Sequence, residues 1–343
     1  MYTPVRLKQV KELDFQRPDG KKIPLAIPSD LNQSLLRNAV FKDYLIFKMT
    51  VGREIAEAEI CQVKRDGDVV GFLIPGQAVL STECAKNSDR LFGTYSLMVA
   101  LAICIEAQSN SYNLANNKYA QAESKKDIFI SGSFYAIIWI KPLGIPASAF
   151  LNNYFVSLAK NGIYPVSDDN MAIRSSRTFD SYNTSITIKK NRIWPAHIET
   201  ILMRLAPFAD NAFLRFFYLY QVIETLMTEN YSNRLSIIRN RFDCAGDISI
   251  TQLKGFVNDF QDIVKEEPRI KNALQPACTQ TNLISEKILT ALKEDFNELD
   301  FGQRIYKIRN IIFHDFQRIH HLSDDVLALE DNLSSYLLTE KLF

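Results

Sequence analysis

The chain has 343 residues, 47% of them hydrophobic and 23% charged, which is the balance of a globular protein long enough for two domains. Lys and Arg number 40 against 39 Asp and Glu, which excludes a basic coat for general nucleic-acid binding; any RNA contact must rest on local charge. The five cysteines, Cys61, Cys84, Cys104, Cys244 and Cys278, are odd in number and never spaced CxxC, so a zinc site or a disulfide framework is not expected and a reducing, cytoplasmic setting is.

The opening Met1-Tyr2-Thr3-Pro4-Val5-Arg6 lacks the apolar core of a signal peptide. Asp43 to Met49 reads as a strand, and so does Val69 to Ile74. The second is entered through Arg65-Asp66-Gly67-Asp68, where Asp-Gly between apolar runs favours positive φ and a hairpin turn. The longest apolar run, Leu97 to Ile105, falls short of the roughly 20 residues that span a membrane, and belongs to a helix at about 94–107. No membrane association is expected. Asp127 to Ile140 is rich in Ile, Phe, Tyr and Trp, with Gly132 as a bulge or turn. A helix at about 147–160 stops at Asn161-Gly162. Ser181 to Ile188 alternates Tyr182, Thr184, Ile186 and Ile188 as a strand does. Residues 1–192 thus read as a mixed α+β domain.

The texture changes near Trp194-Pro195. Asp210 is expected to cap a helix reaching Thr228, with Phe216, Leu219, Tyr220, Ile223 and Met227 at helical spacing. Further helices fit Ile250 to Lys265, Asn282 to Glu294, Phe301 to His320, and Ser323 to Leu338, the last capped by Ser323-Asp324-Asp325. Residues 200–343 therefore read as an all-helical bundle of about five helices.

Only four histidines exist, His197, His314, His320 and His321, and three lie in one segment. At about 100° per residue, Ile305, Ile308, Ile312, Phe316 and Ile319 form a core stripe. Asn310 and His314 share nearly the opposite face, and Arg309 lies roughly 140° from His314. Tyr306, Ile311 and Phe313 fall outside the stripe, and the expected cover for them is a second subunit. Arg309 has a competing structural reading, as the partner of Glu224 or Asp315. His320-His321 reads as a helix end rather than a metal site, and Lys189-Lys190-Asn191-Arg192 as a solvated strand end or linker rather than an RNA contact.

The run Arg309-Asn310-Ile311-Ile312-Phe313-His314 resembles the Arg-x4-6-His signature of the HEPN superfamily. Phe216-Phe217-Tyr218-Leu219-Tyr220-Gln221-Val222-Ile223-Glu224 is similar to the first helix of its ApeA-like branch. The resemblance covers about residues 200–343, says nothing about residues 1–190, and implies a HEPN-like bundle after the mixed α+β domain, an α+β then all-α architecture. It implies metal-independent RNA cleavage, without a cofactor, at the interface of a homodimer. The ribose 2′-hydroxyl attacks the adjacent phosphate and leaves a 2′,3′-cyclic phosphate. In that scheme His314 is the acid or base, since an imidazole ordinarily titrates near 6.5. Arg309 holds the phosphate, Asn310 orients phosphate or imidazole, and Glu224 positions. Some HEPN toxins carry a Tyr two residues after the His, modified by a nucleotidyltransferase antitoxin; Phe316 stands there in this chain. The first functional expectation is an RNase effector in prokaryotic defence, whose N-terminal domain senses or restrains through a regulatory protein or ligand. The second is a catalytically inactive HEPN-like dimer serving as an adaptor or RNA-binding module. A third, activity in the N-terminal domain, lacks any phosphate loop, nucleophile motif or metal cluster.

Overall fold

The computed structural model describes residues 3–8, 12–16, 22–26, 44–52, 60–75, 134–165, 173, 185–246 and 248–343, the first three segments as backbone alone. The helix expected at about 94–107 and the turn at Gly132 lie outside these residues. The described residues fall into two compact units, one ending at Trp194 and one running from Pro195 to Phe343.

The first unit is α+β. Strands β1 (Thr3–Lys8), β2 (Glu12–Gln16) and β3 (Lys22–Ala26) pair as an antiparallel meander that sequence reading left unassigned. A six-stranded sheet follows, built from β4 (Tyr44–Val51), β5 (Cys61–Arg65), β6 (Asp68–Pro75), β7 (Phe134–Trp139), β8 (Ile163–Pro165) and β9 (Ser185–Thr187). Its order is β8-β4-β7-β6-β5-β9, and only the β5–β9 pairing is parallel. The Asp-Gly turn is a two-residue hairpin: Asp66 has φ 52° and Gly67 φ 93°, the pair of positive values that matches the twist of the strands it joins. The β5–β6 register shifts beside it, between Val63 and Lys64. Gly71 faces β7 so closely that an added Cβ would lie 2.3 Å from the Ile137 carbonyl oxygen.

Leu45, Ile46 and Phe47 are consecutive and all buried, so the middle of β4 is covered on both faces. Helix α1 (Phe150–Lys160) packs Phe150 on Phe47, with ring centroids 5.9 Å apart, and ends at Asn161 with Gly162 at φ 70°. The chain after β9 is laced to α1. Lys189 N–H donates to Ser157 Oγ (2.8 Å), and buried Asn191 donates Nδ2 to the carbonyls of Asn152 (2.9 Å) and Arg192 (2.8 Å). Arg192 lies 3.6 Å over the Trp194 ring. The Lys189–Arg192 segment is therefore an ordered connection whose Asn is internal.

The second unit is mostly helical. Helix α2 (Ala196–Thr200) runs on through a wide turn, and α3 (Ala212–Asp243) follows. The cap of α3 is Asn211, whose side chain accepts from Phe213 N–H at 2.8 Å, not Asp210. The helix also runs well past Thr228. Its polar second half finds a separate small core, where Ile238 meets Phe256 and Ile263 of α4 (Ile250–Val264). A capping box of Ser249 and Gln252 starts α4. Along that helix Ile250, Leu253, Val257, Phe260 and Val264 remain exposed. Helix α5 (Glu266–Ala273) escaped sequence reading because it is short and carries Pro268; a proline in the first turn sacrifices no intrahelical bond. Helix α6 (Thr279–Ala291) begins and ends three residues before expectation, with Lys293 at φ 56° just beyond it.

Helix α7 (Phe301–His314) starts on a capping box of Asp300 and Gln303. It does not run to His320. Asp315 takes φ −144° and ψ 49°, after which come α8 (Phe316–Ile319), a tight turn at His320–Leu322, and α9 (Ser323–Tyr336). Leu322 occupies the α9 cap position without a side-chain bond, so Ser323 is not the cap, although Asp324 and Asp325 do lie in the first turn. Among the described residues no helix is long and apolar enough to cross a membrane.

Helices α3 and α9 share a buried ion pair, Arg215 Nε to Glu330 Oε2 at 3.1 Å, with side chains 4% and 3% exposed. Arg215 also donates to the Ala209 carbonyl at 2.6 Å. Burial pushes the Glu330 carboxyl up to about 8, with Asp331 adding to the rise and Arg215 opposing it. Removing Glu330 alone takes from the buried Arg215 guanidinium the side-chain acceptor of its Nε. Glu330→Met should therefore cost about 3–5 kcal/mol in urea unfolding, and adding Arg215→Met should recover most of it. The pH dependence has a fixed sign. The folded value lies above the ordinary 4.5, so the folded chain binds this proton more tightly, and its contribution falls as pH rises from about 4.5 through 8. Glu330→Gln should flatten the stability profile in that window.

Candidate active site

The motif helix α7 is placed by contacts along its length. At its start, a Cβ on Gly302 would lie 2.8 Å from the Lys271 backbone, so only glycine lets α7 approach the end of α5 this closely. Arg304 reaches α6 through Glu286 and Asn282. Lys307 bonds Glu294 at 2.8 Å and the Asp295 carbonyl at 2.9 Å. Tyr306 donates to Glu266 of α5 at 3.0 Å. Ile305, Ile308, Ile312 and Ile319 are buried as the helical stripe requires, whereas Phe316 is 47% exposed, because the break at Asp315 turns it out of line. Ile311 is buried within the chain's own bundle, and Tyr306 has an internal partner. Neither needs the second subunit that the helical wheel assigned to them.

Arg309 is the polar side chain of α7 that is held loosely. Its NH1 donates to Asn310 Oδ1 at 2.9 Å, and its NH2 stands 3.8 Å from Glu224 Oε1 on α3. The guanidinium lies 5.2 Å from the centre of the Tyr220 ring and 4.8 Å from that of Phe313. The side chain is 23% exposed, yet its Nε is buried and has no hydrogen-bond partner among the described residues. The Tyr220 hydroxyl is likewise buried without a partner. Burial pushes that phenol well up, the Glu266 carboxylate adds to the rise, and Arg309 opposes it.

The structure therefore brings Arg309, Asn310 and Glu224 together. An ideal wheel separates Arg309 from the Asn310–His314 face, but the guanidinium folds back onto Asn310. His314 is the last residue of α7 and exposed, and its imidazole makes no hydrogen bond among the described residues. It follows Asn310 by one helical turn, so Asn310 neighbours both the cation and the imidazole. Phe313, beneath the guanidinium, is 42% exposed, its ring 5.4 Å from that of Phe217. Sequence reading missed Tyr220 as a companion of Arg309, and Glu266 and Tyr306 as neighbours of Tyr220. Tyr220 was assigned to the core stripe of α3, and Glu266 sits on a helix that periodicity did not reveal.

Comparison with family models, with curated proteins and with solved structures finds no match for this chain. The functional reading rests on these residues and their geometry.

His314 ends a helix in the open, so His314→Ala should leave the thermal midpoint nearly unchanged, within about 0.5 kcal/mol of stability. Gly302→Ala should cost roughly 1–3 kcal/mol, because the added methyl meets backbone. A destabilised His314→Ala variant in a melting experiment would assign that imidazole to the fold rather than to an open site.

Proposed function

We infer that the chain is a metal-independent endoribonuclease of HEPN type, working as a homodimer with a composite site in prokaryotic defence. What supports the reading is a partly open cation, Arg309, hydrogen-bonded to Asn310, with the exposed imidazole of His314 one helical turn after Asn310 at the end of the same helix. Transesterification needs these two groups and no more: a cation for the phosphate and a group that can take and give a proton.

In the proposed reaction a ribose 2′-oxygen bonds to the adjacent phosphorus as its proton passes to a neutral imidazole. The bond to the 5′-oxygen breaks, and that oxygen takes a proton from an imidazolium. The products are a 2′,3′-cyclic phosphate and a 5′-hydroxyl. One His314 from each copy could serve as base and acid, which gives the homodimer a chemical purpose. Arg309 receives the phosphate by exchanging its distant Glu224 contact for bidentate hydrogen bonds, with Asn310 steering the guanidinium. Glu224 is then a positioning residue. The α+β unit is assigned the sensing or restraining role, toward a regulatory protein or ligand.

The second reading, an inactive dimerising adaptor or RNA-binding module, is favoured by the ties that Arg309 already has to Asn310 and Glu224. Cleavage of labelled RNA in excess chelator separates the two. The active reading expects cleavage with cyclic-phosphate ends, falling about 10²–10⁴-fold in His314→Ala with little loss of RNA affinity. Arg309→Ala should weaken both affinity and rate. Folded variants that cleave as well as the parent would end the assignment.

A further inference from the structure

Helix α4 carries two apolar faces. Phe256 and Ile263, one heptad apart, pack into the small core that closes on Ile238 of α3. Ile250, Leu253, Val257, Phe260 and Val264 form a second line, between 39% and 77% exposed. They are spaced alternately by three and four residues. At about 100° per residue they fall within about 80° of arc, turned roughly 90° from the core pair. A seam that narrow and regular is what one helix presents to another; a helix facing the body of a bundle carries a broader stripe. Five large apolar side chains in one open row also differ from the scattered singles common on protein surfaces. Val257, Phe260, Gln261, Val264 and Lys265 line an open depression of about 450 Å³ along the seam, room for side chains from outside.

Charge narrows what can lie there. On the side of the seam away from the core pair, the flanking residues are Lys254, Gln261 and Lys265, about 60–100° from its centre. Both lysines are exposed, and neither pairs with an acid among the described residues. The acids of α4, Asp259 and Asp262, project about 140–160° away from the seam. Asp259 is taken by Arg241 of α3 at 2.9 Å.

We propose that the α4 seam docks an amphipathic helix of a partner protein, with apolar residues at the same three-four spacing and acidic side chains set toward Lys254 and Lys265. Size and charge favour that occupant over a second copy of this chain. The helix has 15 residues, so it is about 22 Å long. Its open side chains offer on the order of a few hundred Å², short of the roughly 800 Å² per partner that stable pairs of folded chains bury. A lone helix laid in a groove fits that length. A second copy on the seam would bring two more lysines and no acid. A lipid surface calls for a broader apolar face and a denser row of cations than two lysines. The seam lies on α4, away from the α7 motif in sequence, and its use does not depend on the ribonuclease reading.

The test is fluorescence anisotropy of the full chain with two labelled helical peptides of equal length. Each carries leucines at three-four spacing, one flanked by glutamates and the other by lysines. The glutamate peptide should bind, and the lysine peptide should bind roughly 2- to 30-fold more weakly, as two exposed charge contacts allow. Lys254→Glu combined with Lys265→Glu should reverse that order. Leu253→Ser should weaken the glutamate peptide by about 5- to 10-fold with the thermal midpoint within a few degrees of the parent, since this side chain is open to water. Equal affinity for the two peptides, an unchanged order in the double variant, or no binding of either peptide would overturn the proposal. So would self-association in sedimentation that Leu253→Ser abolishes, which would give the seam to a second copy. Binding to phosphatidylserine vesicles in place of the peptide would give it to a membrane and overturn the proposal equally.

Discussion

Glu294 holds the two sides of the break that ends the motif helix. Its carboxylate takes Lys307 of α7 at 2.8 Å and Arg318 of α8 at 2.6 Å. Arg318 also reaches the Leu292 carbonyl at 3.1 Å, and Asp315 at the break itself at 3.4 Å. The Lys307 and Arg318 hydrogen bonds hold the Glu294 carboxyl below its usual range. Its contribution is therefore complete at neutral pH and is lost only as pH falls through that lowered value. The helix could continue past Asp315 only if Arg318 left its acceptors. With the stop fixed, His314 is terminal, and the backbone beyond it turns away.

Polar groups in the bundle are not treated alike. Arg215 and Glu330 are buried deeply and satisfy each other. Arg304, Tyr306 and Lys307 each find an acceptor on a neighbouring helix. Arg309 Nε and the Tyr220 hydroxyl are buried without a hydrogen-bond partner among the described residues, each a cost of about 1–3 kcal/mol when left unmet. Arg269 Nε, Thr281 Oγ1 and Arg304 Nε are also buried without a hydrogen-bond partner among the described residues, so the motif shares this property with other parts of the bundle. A ligand phosphate that draws the guanidinium outward would relieve the Nε, which links this unsatisfied donor to the proposed chemistry.

Much of the fold was legible where local chemistry decides the backbone. Asp66-Gly67 could hardly be anything but a turn, Asn161-Gly162 marked the end of α1, and the alternation around Ile186 marked an edge strand. The two-part division into α+β and helical regions followed from the change of period. What escaped was decided by distant contacts. The second half of α3 is polar by composition and is held by α4, which sequence spacing does not show. The stop at Asp315 was hidden because Ile312, Phe316 and Ile319 keep a helical rhythm across it, and only Arg318 and Glu294 reveal the break. Within the site, Arg309, Asn310 and Glu224 were legible as a group. The fold-back of Arg309 onto Asn310 was not, because a wheel fixes where Cβ points and not where a long side chain ends.

The break at Asp315 decides which side chains of this segment face outward. On an unbroken helix Phe316 would follow Ile308 and Ile312 into the core, and His320 would lie one turn further along the same buried side. Interrupting the helix after His314 leaves Ile319 to fill the core position, where it is fully buried. Phe316 is rotated outward onto Phe213, and His320 onto Phe316. The bundle thus forgoes about half the burial of one phenylalanine, roughly 1 kcal/mol of apolar transfer, and leaves that ring partly open.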